Sequence, residues 1–168
     1  MGREGHAVVF GAFGRANGKF GFRLVHYSVQ GNHMHLIVEA EGTASLARAM
    51  KGLCVRIARQ LNRELGRQGR VFADRYHARA LSTPREVYSC LRYVLLNRKH
   101  RNEQLAGRAE EYGVDECSSS AYFDGWAAGA VRCAPRLPGE GDPVLPATTW
   151  LLKTGWRRYG PIDPFRRG

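Results

Sequence analysis

The sequence predicts an α+β domain, and three observations support that class. A two-residue turn signal, Gly31-Asn32, joins two runs rich in β-formers, residues 22–30 and 33–40. A long stretch at helical spacing follows over 43–65. A second helical stretch begins at Pro84, behind a capping-box pattern.

Taken literally, the turn sets a register for the hairpin. Gln30 opposes His33, Val29 opposes Met34, Ser28 opposes His35, Tyr27 opposes Leu36, and Val25 opposes Val38. Alternation then separates two faces. Val25, Tyr27, Val29, Met34, Leu36 and Val38 make an apolar face for the core. His26, Ser28, Gln30, His33, His35 and Glu39 make a polar one, with Ile37 its only apolar member. Met34 is expected inside, and the histidines look away from the core.

The helix over 43–65 shows Leu46, Met50, Leu53, Cys54, Ile57, Ala58, Leu61 and Leu65 at three-four spacing. Thr43 or Ser45 is placed to cap its start and Gly66 to end it. Arg48, Lys51, Arg56, Arg59 and Arg63 lie mostly on other faces. They are candidate phosphate contacts, and an ordinary solvated face would carry the same residues.

Residues 70–81 predict a strand around Tyr76–Leu81, with Arg75, His77 and Arg79 among them. Thr83-Pro84-Arg85-Glu86 places proline at the first helical position. A helix should run from Pro84 to Asn97 or slightly beyond, with core stripe Val87, Cys90, Leu91, Val94 and Leu95. At about 100° per residue, Tyr93 and Asn97 fall on one flank of that stripe and Tyr88 on the opposite flank. Residues 101–147 read mostly as loop, with Ser118-Ser119-Ser120, several glycines and four prolines. A short helix with a basic end is expected over 148–159.

A chain of 168 residues fits one domain with an appended tail. The expected division is 1–105 for the main domain and 106–168 for a loop-rich basic extension. The formal charge of +11 favours a polyanionic partner: DNA, RNA or an acidic membrane surface. No run of 18 apolar residues predicts a membrane span, and the first residues lack a signal-peptide pattern. Cys54, Cys90, Cys117 and Cys133 form no CxxC pair. Cys54 and Cys90 look like small core residues, which favours a reduced, cytosolic protein.

His33 and His35 flank one apolar residue, so on a strand both imidazoles point to one face and can reach one metal ion. Histidines also sit unligated on polar faces. Tyr93 and Asn97, four residues apart, share a helical face. A phenol is a poor nucleophile unless positioned and activated, and an amide oxygen is a hard metal ligand.

With those residues in view, Gly31-Asn32-His33-Met34-His35-Leu36 resembles the HUH motif (histidine, hydrophobic residue, histidine) of single-tyrosine transposases. The stretches Val71–Arg79 and Leu91–Asn97 resemble the same proteins. The pattern is most similar to the transposase-like branch associated with repetitive extragenic palindromes. It covers roughly residues 20–100, with weaker similarity over Trp150–Tyr159. The resemblance implies a ferredoxin-like sandwich, an antiparallel sheet with helices packed on one face. It implies cleavage and rejoining of single-stranded DNA bearing a hairpin or palindromic repeat, through a 5′-phosphotyrosine. Tyr93 would be the nucleophile; His33, His35 and Asn97 would hold Mg²⁺ or Mn²⁺. Arg48, Lys51, Arg56, Arg59, Arg75, His77, Arg79 and Arg92 would contact DNA. The protein would be cytoplasmic and nucleoid-associated, a monomer or a homodimer.

Two features depart from the family pattern. Relatives begin with a strand and a helix, whereas only about twenty residues precede the hairpin here. Residues 6–20 then read as a first helix alone, or His6–Phe10 serves as a short strand. Asn97 is followed by Arg98-Lys99-His100, where relatives carry a proline turn. Three other readings stand beside the transposase: an inactive truncated remnant, a nucleic-acid-binding module without catalysis, and a cupin-like metal oxygenase. The last matches His33-x-His35-x₃-Glu39 but lacks the later histidine and clashes with two long helices.

Overall fold

The computed structural model describes residues 3–106, 117–128 and 142–164, without the side chains of 3–4 and 97–106. Cys133 and the loops expected over 107–116 and 129–141 lie outside the described residues. The elements are α1 (Arg3–Ala16), β1 (Phe22–Val29), β2 (Met34–Ala40), α2 (Thr43–Glu64), α3 (Pro84–Ala106) and α4 (Trp150–Lys153). Two 3₁₀ turns, Ser119–Tyr122 and Gly155–Tyr159, complete them. The class is the α+β one expected, with a two-stranded antiparallel sheet among the described residues. Two compact units divide the chain. One holds 3–25, 38–80 and 142–146; the other holds 26–37, 81–106, 117–128 and 147–164. The hairpin supplies residues to both.

In the first unit α1 packs on α2. Val9, Ala12, Phe13 and Ala16, spaced three and four apart, give α1 a buried stripe; of the expected segment 6–20, residues 6–16 are helical and 17–20 form the turn into β1, so His6–Phe10 is not a strand. The opposing stripe on α2 is Ala49, Met50, Leu53, Ile57 and Leu61. Asn17 fastens the entry to β1: its Oδ1 accepts from the Leu24 N–H at 2.6 Å, and its Nδ2 donates to the Leu24 carbonyl at 3.2 Å. The expected cap of α2 differs. The N-cap is Gly42, which has no side chain to supply a cap bond; Thr43 and Ser45 lie inside the helix, and the Ser45 hydroxyl donates to the Phe20 carbonyl. Gly66 ends the helix as expected, at φ 59°, in the left-handed region glycine tolerates.

The strand expected over Tyr76–Leu81 does not form. Residues 73–80 are exposed and have no strand partner among the described residues. Their β-forming side chains bury nothing, and β-propensity expresses itself only against a neighbour.

The hairpin register holds at the turn, where the Gln30 N–H donates to the His33 carbonyl at 2.8 Å. It does not hold at the far end. There the Glu41 N–H donates to the Gly21 carbonyl, and Arg23 pairs with Glu39 at 3.6 Å. Between these pairs β1 advances nine residues (21 to 30) and β2 eight (33 to 41). One extra residue on β1 is a bulge-like offset, which shifts side chains between faces. Burial also departs from the expected alternation. Nearly all of β1 is buried, including His26 and Ser28. On β2 it is Ile37 that is buried; Met34, Leu36 and Val38, expected in the core, are half-buried.

The second unit is built around α3. Val87, Leu91, Val94 and Leu95 are buried as expected, beside Phe123, Leu152, Trp156 and Ile162. The helix runs to Ala106 rather than stopping near Asn97. No glycine or proline interrupts 98–106, and Gly107 is the first breaker. The short helix expected over 148–159 is α4 followed by the 3₁₀ turn. Cys54 and Cys90 are half-buried rather than core, and burial pushes the Cys54 thiol up.

Candidate active site

Three side chains meet in the second unit. His33 closes the turn and His35 follows on β2; their ring centroids lie 4.9 Å apart at 77°. The His35 ring meets the Tyr93 ring edge-on at 5.0 Å. The Tyr93 hydroxyl lies 3.4 Å from His35 Nε2. Tyr93 is 52% exposed.

Local contacts orient the histidine rings. His33 Nδ1 sits 2.8 Å from Asn32 Oδ1. An amide oxygen only accepts, so Nδ1 is the donor in that contact. Burial lowers the His35 pKa, and the neighbouring His33 lowers it further. A neutral His35 leaves the Nε2 lone pair beside the phenol, open to the hydroxyl when no metal occupies it.

The tyrosine arm is placed by α3. Thr83 Oγ1 accepts from the Glu86 N–H at 3.2 Å, and Glu86 Oε2 accepts from the Thr83 N–H at 3.1 Å. This is the reciprocal cap the sequence predicts. Glu86 also accepts from the Ser82 N–H at 2.9 Å. The Ser82 and Thr83 donors hold its carboxyl below the usual range.

A serine turn holds β1 to α3. Ser119 Oγ accepts from the Tyr27 N–H at 2.9 Å and lies 3.1 Å from His26 Nδ1. Ser120 Oγ donates to the Leu95 carbonyl at 3.2 Å. Ser118 pairs with Ser28, and the Val29 N–H donates to Cys117. All three serines are buried. They are anchored to β1 at one end and to α3 two residues beyond Tyr93 at the other. The triple serine is visible in the sequence, but its distance of some ninety residues from His26 hides the pairing. His26 itself, expected on a polar face, is buried under Phe123 at 5.5 Å. Burial pushes its pKa down to about 4 against an opposing pull from Asp124.

Imidazoles sharing one ion at about 2.1 Å put their ring centroids about 5 Å apart. The His33–His35 separation fits that spacing. Among the described residues, no group of three His, Cys, Asp or Glu side chains gathers around one point. Asn97 lies on α3 one turn beyond Tyr93, and its side chain is outside the described residues. Arg92 is half-buried on the same helix. The other basic residues expected to contact DNA belong to the first unit. Arg48, Lys51 and Arg59 are exposed on α2, and Arg56 is half-buried; Arg75, His77 and Arg79 are exposed on the irregular stretch. No helix among the described residues is long and apolar enough to cross a membrane.

No curated protein and no solved structure matches the chain. A family model described as "Transposase IS200 like" matches residues 8–97. That is 90 of the 168 residues and takes in α1 from residue 8 on, the hairpin, α2 and the Tyr93 segment of α3. The chain belongs to the IS200-like transposase family.

Proposed function

We propose that this protein cleaves and rejoins single-stranded DNA bearing a hairpin or palindromic repeat, with Tyr93 as the nucleophile. The observation that carries the reading is the Tyr93 hydroxyl beside His35 Nε2, next to the second imidazole of His33. Family membership supplies the reaction class, DNA transposition. In the proposed step the phenolic oxygen bonds to phosphorus and the bond to the 3′ oxygen breaks. The phenol proton is released, and the 3′ oxygen takes one up. A 5′-phosphotyrosine and a free 3′-hydroxyl result. The covalent bond conserves the phosphodiester energy, so reversal rejoins the strand without an external source.

His33-Met34-His35 is then the HUH motif, and His33, His35 and Asn97 would hold Mg²⁺ or Mn²⁺. Such a metal would polarise the scissile phosphodiester and offset the charge on its oxygens. The neighbouring chain orients these ligands: Asn32 bonds His33 Nδ1, and burial lowers the His35 pKa, which favours the neutral ring a metal needs. We place the nuclease in residues 1–105, with 106–168 as an extension, in the branch associated with repetitive extragenic palindromes. Arg48, Lys51, Arg56, Arg59, Arg75, His77, Arg79 and Arg92 supply phosphate contacts. The protein acts in the cytoplasm, at the nucleoid, as a monomer or a homodimer.

The test is a covalent adduct assay on hairpin-bearing single strands with Mg²⁺ or Mn²⁺. Wild type should form an adduct that survives denaturing electrophoresis. Tyr93→Phe should form none yet bind the hairpin within about twofold of wild type. Binding without any wild-type adduct would reduce the protein to a non-catalytic nucleic-acid-binding module.

A further inference from the structure

The second unit carries a group of exposed aromatic and cationic side chains away from the histidines. Trp150 is 57% exposed and Tyr159 is 45% exposed. The Arg158 guanidinium lies over the Trp150 ring at 5.7 Å. Tyr159 meets Tyr88 of α3 with centroids 5.5 Å apart. Lys153, Arg157 and Arg158 are all exposed on this segment; Arg157 is neutralised by Asp124 at 2.6 Å. The base of the group is rigid: Gly155 is buried under the Trp150 ring, and the 3₁₀ turn that carries Arg158 and Tyr159 packs on α3.

Core packing does not account for two half-exposed rings flanked by cations. Unpaired bases do fit them. Every base has a flat face that stacks on an indole or a phenol, and cations beside the rings suit the phosphates between bases. A base pair within a duplex has no free face to offer. Helical geometry links this group to Tyr93. Arg85, Tyr88 and Arg92 lie at i, i+3 and i+7, within about 60° of each other on α3. Tyr93 is about 7.5 Å further along the axis from Tyr88, on the opposite flank. Arg92 stands between the two flanks, so a strand at Tyr93 passes it on the way to Tyr88 and Tyr159.

We propose that Trp150, Arg158, Tyr159 and Tyr88 form a stacking platform for the unpaired bases of a single DNA strand, outside the tyrosine–histidine site. The proposal rests on the reading of single-stranded DNA as the substrate, and it names where bases flanking the cleaved bond are held. The family model ends at residue 97, so three of the four platform residues lie outside the matched segment.

The full-length protein is titrated with a ten-residue oligodeoxythymidine, following tryptophan fluorescence and the anisotropy of a labelled strand. The quench should come mainly from Trp150, the most exposed of the three tryptophans, since Trp156 is buried and Trp126 half-buried. Trp150→Ala should weaken binding about tenfold, and Trp150→Phe should restore it to within about twofold while removing the quench. Trp150 covers Gly155, so Arg158→Ala is the companion variant. Its side chain is exposed, and its loss should weaken binding and lower the salt slope by about one. A duplex of equal length should give no quench. Wild-type affinity in both Trp150→Ala and Arg158→Ala overturns the platform, as does equal quenching by the duplex. Tyr93→Phe separates the two readings. It should keep the full quench, and loss of the quench in that variant would put the bases elsewhere. If wild type forms no covalent adduct while quenching and its loss in Trp150→Ala persist, the cleavage reading falls and the platform stands.

Discussion

The Tyr93 hydroxyl lies 3.4 Å from His35 Nε2, although 58 positions separate the two residues in the chain. One comes from the middle of α3 and the other from the first turn-proximal residues of β2. The serine turn anchored on β1 and on the Leu95 carbonyl sets the helix against the hairpin at that distance.

His35→Ala should lower Mn²⁺ affinity at least tenfold, measured by calorimetric titration. The side chain is half-buried, so the melting temperature should stay within a few degrees of wild type. His33→Ala should act in the same direction. Unchanged affinity in either variant removes that imidazole from the metal site.

Acid should destabilise the protein through His26. Its pKa is pushed down to about 4 by burial, against an ordinary 6.5. The unfolded chain therefore binds a proton that the folded one refuses between those values. Stability is full above pH 6.5 and falls as pH drops toward 4, by up to roughly 3 kcal/mol for a 2.5-unit gap. Urea midpoints at pH 7 and pH 4.5 should differ in wild type, and the difference should shrink in His26→Gln. An equal difference in both proteins would assign the acid sensitivity to other groups.

Thr83→Ala should cost about 1 kcal/mol by removing the hydroxyl that accepts the Glu86 N–H. Thr83→Ser, which keeps the acceptor, should cost much less. Chemical denaturation of the two variants separates loss of the cap from loss of a methyl group. Because the same helix presents Tyr93, adduct yield should fall alongside stability near the melting temperature.

Gly125→Ala should destabilise the second unit by about 1–3 kcal/mol, as overpacking does in dense cores. An added methyl there meets the Trp156 and Phe123 rings, both buried. Thermal unfolding followed by intrinsic tryptophan fluorescence reads the shift. A neutral result would mean that the rings have room to move apart.

Several elements were legible without coordinates because their causes are local. Gly31-Asn32 turns the chain, Thr83 and Glu86 cap α3, and Gly66 ends α2. The stripe Val87, Leu91, Val94 and Leu95 buries where its spacing says it should. The strand expected at Tyr76–Leu81 was not legible, since a strand needs a neighbour that no propensity specifies. On β2 Ile37 is buried while Met34, Leu36 and Val38 are half-buried, because which face of a strand is covered depends on what packs against it, and the alternating pattern does not specify that.

By itself the sequence determined which side chains could do chemistry: two imidazoles on one strand, a phenol on a helix flank, and a basic chain around them. Tertiary structure alone decided that the phenol reaches His35, that His26 is buried and neutral, and that Ser118–Ser120 joins β1 to α3. The physical reason is range. Turns, caps and helical stripes follow from neighbours within a few residues, whereas these contacts join residues roughly sixty to ninety positions apart, whose meeting depends on how the whole core packs.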